Sequence, residues 1–214
     1  MLDVCKRHSI PVELLPPGSK PPAEPGALFL GHPFDPLLAS FYKRLSRLAF
    51  ELEFFFIAQY DDQLDGLSYY NNFHRRDWPE PFHSLFIFGG EEAVGGRLAT
   101  VPWLADVQGF QPVVGFHAYD LDLALPVAST VDNFFNTYAR HLEIIFTTPE
   151  FRDNWEMRPL FPWDVPELIA GDRKLVEMLR EGRFDSLMFV SGWKAEQSHT
   201  EVRRWRDRVL AANP

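Results

Sequence analysis

The apolar positions of this chain repeat with two periods, and the changes between them mark out the elements. From Val131 to Ile145 the residues Val131, Phe134, Phe135, Tyr138, Leu142 and Ile145 fall at helical spacing and predict one amphipathic helix. Ser129 or Thr130 supplies its capping oxygen, Asp132 lies in its first turn, and Arg140 and His141 come late in it, an order that complements the helix dipole. Pro166 to Glu181 predicts a second helix on Leu168, Ile169, Leu175, Val176 and Leu179, stopped by Gly182. Asp35-Pro36 opens another in the correct order, a capping side chain and then a proline, with Leu37, Leu38, Phe41, Leu45 and Leu48 on one face. Thr148-Pro149 begins a short helical piece, and a highly charged helix is expected from about Ala195 to Ala211.

Between Glu51 and Tyr60 the period changes to two. Phe54, Phe56, Ala58 and Tyr60 alternate with Glu53, Phe55, Ile57 and Gln59, which reads as a strand, buried on both faces in its middle. Asp61 to Pro81 follows as a polar loop. Four further strands are predicted at Ser84–Phe88, Arg97–Val101, Pro112–Phe116 and Leu123–Val127, separated by Gly89-Gly90, by Pro102 with Gly109, and by Asp120. Such short spacing predicts an antiparallel meander. No helix of useful length fits between these strands, which argues against a doubly wound parallel sheet and its nucleotide crevice.

Prolines at positions 11, 16, 17, 21, 22, 25, 33 and 36 predict an extended segment without regular structure that lies over the domain. The expected organisation is therefore a proline-rich arm over residues 1–34, an α+β core over 35–147, and a helical C-terminal extension over 148–214 packed on that core. The core is expected to hold a largely antiparallel central sheet of about five or six strands flanked by helices.

Composition narrows the function. At 46% hydrophobic residues the chain can bury a sizeable core, and most of its phenylalanines are expected to be packing residues. Thirty acidic against twenty-one basic side chains give a net charge of -9, which opposes contact with phosphate backbones and favours a basic partner. Cys5 is the only cysteine, so no intrachain disulfide or cysteine-based zinc site can form. No signal-like leader and no run near the roughly 20 apolar residues of a membrane span is visible. A cytoplasmic protein is expected.

A search for catalytic chemistry returns little. Gly89-Gly90 and Gly95-Gly96 flank Glu91-Glu92, whereas a phosphate cradle places its glycines before a helix, usually with a lysine; a turn between strands is the expectation. The histidines show no His-x-x-x-His spacing. His117 with Asp120 could supply a base and an orienting carboxylate, yet His117 stands at a strand end and reads as a rim residue. Asp61, Asp62 and Asp65 faintly resemble a calcium loop, but its twelfth position is Asn72 in place of the late glutamate. Neither a metal, a cofactor nor a catalytic residue is expected.

Three acidic loops remain: Asp61, Asp62 and Asp65; Glu91 and Glu92; and Asp120 with Asp122. The stretch Ser84-Leu-Phe-Ile-Phe-Gly-Gly-Glu-Glu-Ala-Val-Gly-Gly-Arg-Leu98, followed by Gln111-Pro-Val-Val114 and by Leu125-Pro-Val-Ala-Ser-Thr-Val-Asp-Asn-Phe-Phe135, resembles the SUKH superfamily. There a Phe-Gly turn, a Pro-Val strand and an Ala-Ser-Thr helix opening follow in that order. The resemblance implies an immunity protein that binds a cognate bacterial toxin and occludes its active site. The alternative is a non-catalytic regulator or scaffold of the same fold with an endogenous partner. On the first reading Asp61, Asp62, Asp65, Glu91, Glu92, Asp120 and Asp122 would face basic residues of the toxin, with Tyr119 and Trp78 as aromatic anchors.

Overall fold

A computed structural model describes residues 1–18, 21–50, 55–58, 60, 66–91, 95–190 and 195–213. Its strands are β1 (Val12–Leu15), β2 (Leu28–Phe29), β3 (His32–Pro33), β4 (Arg47–Phe50), β5 (Phe55–Ile57), β6 (Phe86–Glu91), β7 (Gly96–Thr100), β8 (Val113–His117) and β9 (Asp120–Ala128). The helices are α1 (Leu2–Arg7), α2 (Pro36–Tyr42), α3 (Val131–Thr147), α4 (Pro149–Asp153), α5 (Pro166–Ile169), α6 (Arg173–Arg180), α7 (Asp185–Met188) and α8 (Ala195–Ala212). The protein is of the α+β class. Its main sheet runs β1-β4-β5-β6-β7-β8-β9 with every neighbouring pair antiparallel, and β2 with β3 forms a separate hairpin.

The meander β6–β9 stands where the alternation and turn residues place it, each strand within a few residues of its expected bounds. The sheet is nonetheless seven strands wide, wider than the five or six expected, because the proline-rich arm is not wholly irregular. Its four residues between Pro11 and Pro16-Pro17 pair with β4, Val12 opposite Phe50 and Leu15 opposite Arg47. Proline is tolerated at the ends of an edge strand and keeps that edge from extending. Further along the arm, the hairpin β2–β3 brings the rings of Phe29 and Phe34 within 6.0 and 5.7 Å of Phe86.

Two helices differ from expectation. The Asp35 carboxylate caps α2, but this helix ends at Tyr42, and Leu48 lies in a strand instead of on the helical stripe. Tertiary pairing decides this: the Ser46 backbone N–H donates to the Leu15 carbonyl at 3.0 Å and its hydroxyl to the Pro16 carbonyl at 2.7 Å, which turns the chain into β4. The expected helix from Pro166 to Glu181 is two helices, α5 and α6. Asp172 divides them, because its side chain caps α6 by accepting the Leu175 N–H at 3.2 Å. The strand expected over Glu51–Tyr60 is β5 at Phe55–Ile57; residues 51–54 and 59 are outside the described set.

Asp61–Pro81 is not only a loop. From Tyr69 to His74 the chain forms a π-helix, and the buried Asn71 ties it to β6. Asn71 Nδ2 donates to the carbonyls of Leu67 and Ile87 at 2.9 and 2.7 Å, and its Oδ1 accepts the Ile87 N–H at 2.8 Å. Between Ile87 and Gly89 the ladder shifts register. This bulge, in which Phe88 is the extra residue, turns Phe88 towards Phe134 of α3, with the ring centroids 6.0 Å apart. On the C-terminal side α6, α7 and α8 pack against β9, and α5 packs against α3 and α8. Arg208 of α8 pairs with Glu167 at 3.1 Å, and the guanidiniums of Arg203 and Arg206 lie 5.7 and 5.4 Å from the Phe189 ring. Much of the basic cluster in α8 is therefore used within the chain.

Candidate functional site at the hairpin end of the meander

The β6–β7 and β8–β9 turns lie at the same end of the sheet. Register makes them one surface: Glu91 stands opposite Gly96, Gly96 opposite His117, and His117 opposite Asp120. Two of the acidic loops, far apart in sequence, thus meet in a single cross-strand row. The glycines between them act in close approach, as expected for a turn and not for a phosphate cradle. A Cβ on Gly90 would stand 2.2 Å from the Gly96 carbonyl oxygen, so no side chain fits there.

Among the described residues Tyr119 is the most exposed aromatic, with 75% of its surface accessible. It is held all the same. Gly95 has φ +72°, and a Cβ on it would lie 2.7 Å from Cε2 of the Tyr119 ring, so the ring lies on the bare glycine backbone. His117 meets the ring edge-on at 5.5 Å, and the Ala118 N–H donates to the Gly95 carbonyl at 2.9 Å. The Tyr119 N–H donates to His117 Nδ1 at 3.4 Å.

A cavity of about 470 Å³ opens beside this row. Leu98, Gly115 and Leu125 form part of its lining, and Tyr138 of α3 and the segment Leu160–Trp163 contribute more. Glu91, Asp120 and Asp122 line the same space. Asp122 accepts the Ser198 hydroxyl at 2.9 Å, a bond that reaches across from α8. Arg97 is part of the lining as well. Its guanidinium stands 5.3 Å from the centre of the Tyr70 ring, and Nη1 donates to the Gly96 carbonyl at 2.8 Å.

Of the residues singled out in the sequence, Glu91, Tyr119, Asp120 and Asp122 come together here. Trp78 does not. Its ring is edge-on to Phe116 at 5.5 Å, and it is not among the residues that line the cavity. Asp61, Asp62, Asp65 and Glu92 lie outside the described residues, as does the calcium-like loop. Among the described residues no group of three or more His, Cys, Asp or Glu side chains is placed to hold a metal, and no helix is long and apolar enough to cross a membrane. Sequence reasoning missed the cavity wall formed by Leu160-Phe161-Pro162-Trp163. The available signal was a dense apolar run lying between helices and on neither helical stripe.

In comparisons with family models, curated proteins and solved structures, none matches the chain.

Proposed function

We propose that this chain is a non-catalytic, cytoplasmic protein that binds a basic protein partner through the hairpin end of its meander, as expected of an immunity protein that occludes a toxin's active site. The observation that carries the reading is the Tyr119 ring. It is exposed to solvent but fixed over Gly95 and beside His117, and it is flanked in the same row by Glu91 and Asp120. A large ring already held in place loses little conformational freedom on contact, which is the character of an interface anchor. The neighbouring carboxylates and the net charge of -9 would speed association with a cationic surface and fix its orientation.

The test is co-production with the product of the adjacent reading frame, with growth rescue and complex formation as readouts. Tyr119→Ala is expected to weaken the complex by about tenfold or more. Asp120→Lys is expected to slow association and flatten its dependence on salt. Unchanged affinity and salt dependence in both variants would place the contact elsewhere.

A further inference from the structure

We propose that the cavity beside Tyr119 receives an arginine side chain of the bound protein. This rests on the binding reading above and adds the chemistry of the contact. Protein interiors are close-packed and leave few voids larger than a water molecule, whereas a space of about 470 Å³ lies within the range of roughly 300–1,000 Å³ typical of ligand sites. Its depth owes much to Gly115. A Cβ there would meet Val127 at 3.7 Å and Leu98 at 3.8 Å, ordinary contacts, so the floor is open because a side chain is missing and not because the strands stand apart.

The lining sets what can enter. Tyr138, Phe161 and Trp163 provide aromatic surface, while Glu91, Asp120 and Asp122 provide carboxylates to the same space. A guanidinium satisfies both: its flat faces stack on aromatic rings, its edge N–H groups fork onto carboxylates, and its three-carbon stem lies along apolar walls. An ammonium is a more strongly hydrated point charge and gains less from stacking. An anion would meet three acidic residues, Glu91, Asp120 and Asp122, against the one arginine, Arg97, in the lining. The chain's own Arg97 also lines the space, but its guanidinium is engaged over the Tyr70 ring. Asp122, held by Ser198 at 2.9 Å, is positioned before any ligand arrives.

The test uses the full chain and N-acetyl-L-argininamide as probe, followed by amide chemical shifts. The expected result is saturable shifts at Gly96, Leu98 and Gly115, with the uncharged citrulline analogue weaker by about fivefold or more. Leu123→Trp, which fills the cavity, and Asp120→Asn, on the surface, should each weaken the probe. The second variant carries the test if the first lowers the thermal midpoint. Absence of saturable shifts at those amides, or equal binding of the citrulline analogue, overturns the proposal. Much tighter binding of free arginine than of the blocked form also overturns it, because the source would then be a small molecule. None of these outcomes bears on the Tyr119→Ala complex test, so failure of the cavity contact is separable from failure of the binding reading.

Discussion

The carboxylate of Asp35 joins Gln111 across most of the core: Oδ2 accepts the Gln111 backbone N–H at 2.8 Å while Oδ1 accepts from Leu37 and Leu38 at 2.8 and 3.1 Å. Gln111 extends the link. Its Nε2 donates to the Pro33 carbonyl at 2.7 Å, and its Oε1 accepts the Thr100 hydroxyl at 2.6 Å. Through this pair the helix start, the end of the arm and the β7–β8 connection share one buried network.

Asp35→Ala removes a helix cap and leaves buried N–H groups unpaired, so a loss of about 2–4 kcal/mol of stability is expected in urea unfolding. Burial raises the Asp35 carboxyl above its ordinary value, against its hydrogen bonds to Gln111, Leu38 and Leu37. An acid raised in the folded state holds its proton more tightly there than when unfolded. Its contribution to stability is full below the unfolded value and declines as pH rises through the folded one. Asp35→Asn keeps one acceptor and does not titrate. It should lose less than the alanine variant and flatten this part of the pH profile.

The cap at Asp35 was legible because Asp-Pro before an apolar run has one local meaning. The meander was legible for a similar reason, since alternation and glycine turns are local signals. What the sequence hid is non-local. Only pairing with β1 stops α2 at Tyr42, and only the contact of Asp172 with Ser129 explains why Gly171-Asp172 breaks a stripe that otherwise continues. Asn71 and Arg75 look like loop residues until the carbonyls of Ile87 and Leu85 are brought to them. In the candidate site Glu91, Tyr119, Asp120 and Asp122 could be found by charge and exposure. Their cavity could not, because Tyr138 and Phe161 reach it from other elements.

Asp172 is the second such joint. Its oxygens accept from the Ser129 N–H at 2.7 Å, the Ser129 hydroxyl at 2.9 Å, Asn133 Nδ2 at 3.1 Å and the Leu175 N–H. One side chain therefore caps α6 and fixes the start of α3. Asp172→Ala should cost about 3 kcal/mol or more in chemical unfolding, because four donors lose their acceptor in a buried place. Ser129→Ala removes one donor to Asp172 and one of the two acceptors of Asn133 Nδ2 and should cost about 1 kcal/mol. Similar losses in the two variants would show that the network is not centred on Asp172.

Two histidines contribute to the response to acid. Arg75 Nη1 donates to His32 Nε2 at 2.6 Å, an arrangement that requires neutral imidazole, and burial together with the Arg75 charge pulls His32 down to about 4. His141 is buried against Tyr138 and Phe161, and burial with the charge of Arg158 lowers it likewise to about 4. A base depressed in the folded state takes up its proton more readily when unfolded, so its stabilisation is present above pH ~6.5 and is lost as pH falls towards about 4. For His141 that loss is about 2–3 kcal/mol. Its Nδ1 has no hydrogen-bond partner among the described residues, so His141→Phe should resist acid and hold or gain stability at neutral pH. His32→Gln keeps an acceptor for Arg75 without titrating. Urea midpoints compared at pH 7 and pH 4.5 check both, and an unchanged acid response in the double variant would move the sensitivity elsewhere.

The seat of Tyr119 on Gly95 separates backbone strain from ring contact. Gly95→Ala forces a non-glycine residue to φ +72° and brings its Cβ to 2.7 and 2.9 Å from the Tyr119 ring. The first effect costs about 1 kcal/mol, and the second displaces the ring or adds to that cost. In a Tyr119→Ala background only the backbone effect remains. A double-mutant cycle in thermal or urea unfolding should therefore give a coupling of about 0.5–1 kcal/mol, with Gly95→Ala less harmful once the ring is gone. Tyr119→Ala alone should change stability by under about 0.5 kcal/mol, since an exposed ring contributes little to the core. Additive effects in the cycle would mean that the ring moves aside freely, and the held aromatic anchor at this end of the sheet would lose its structural basis.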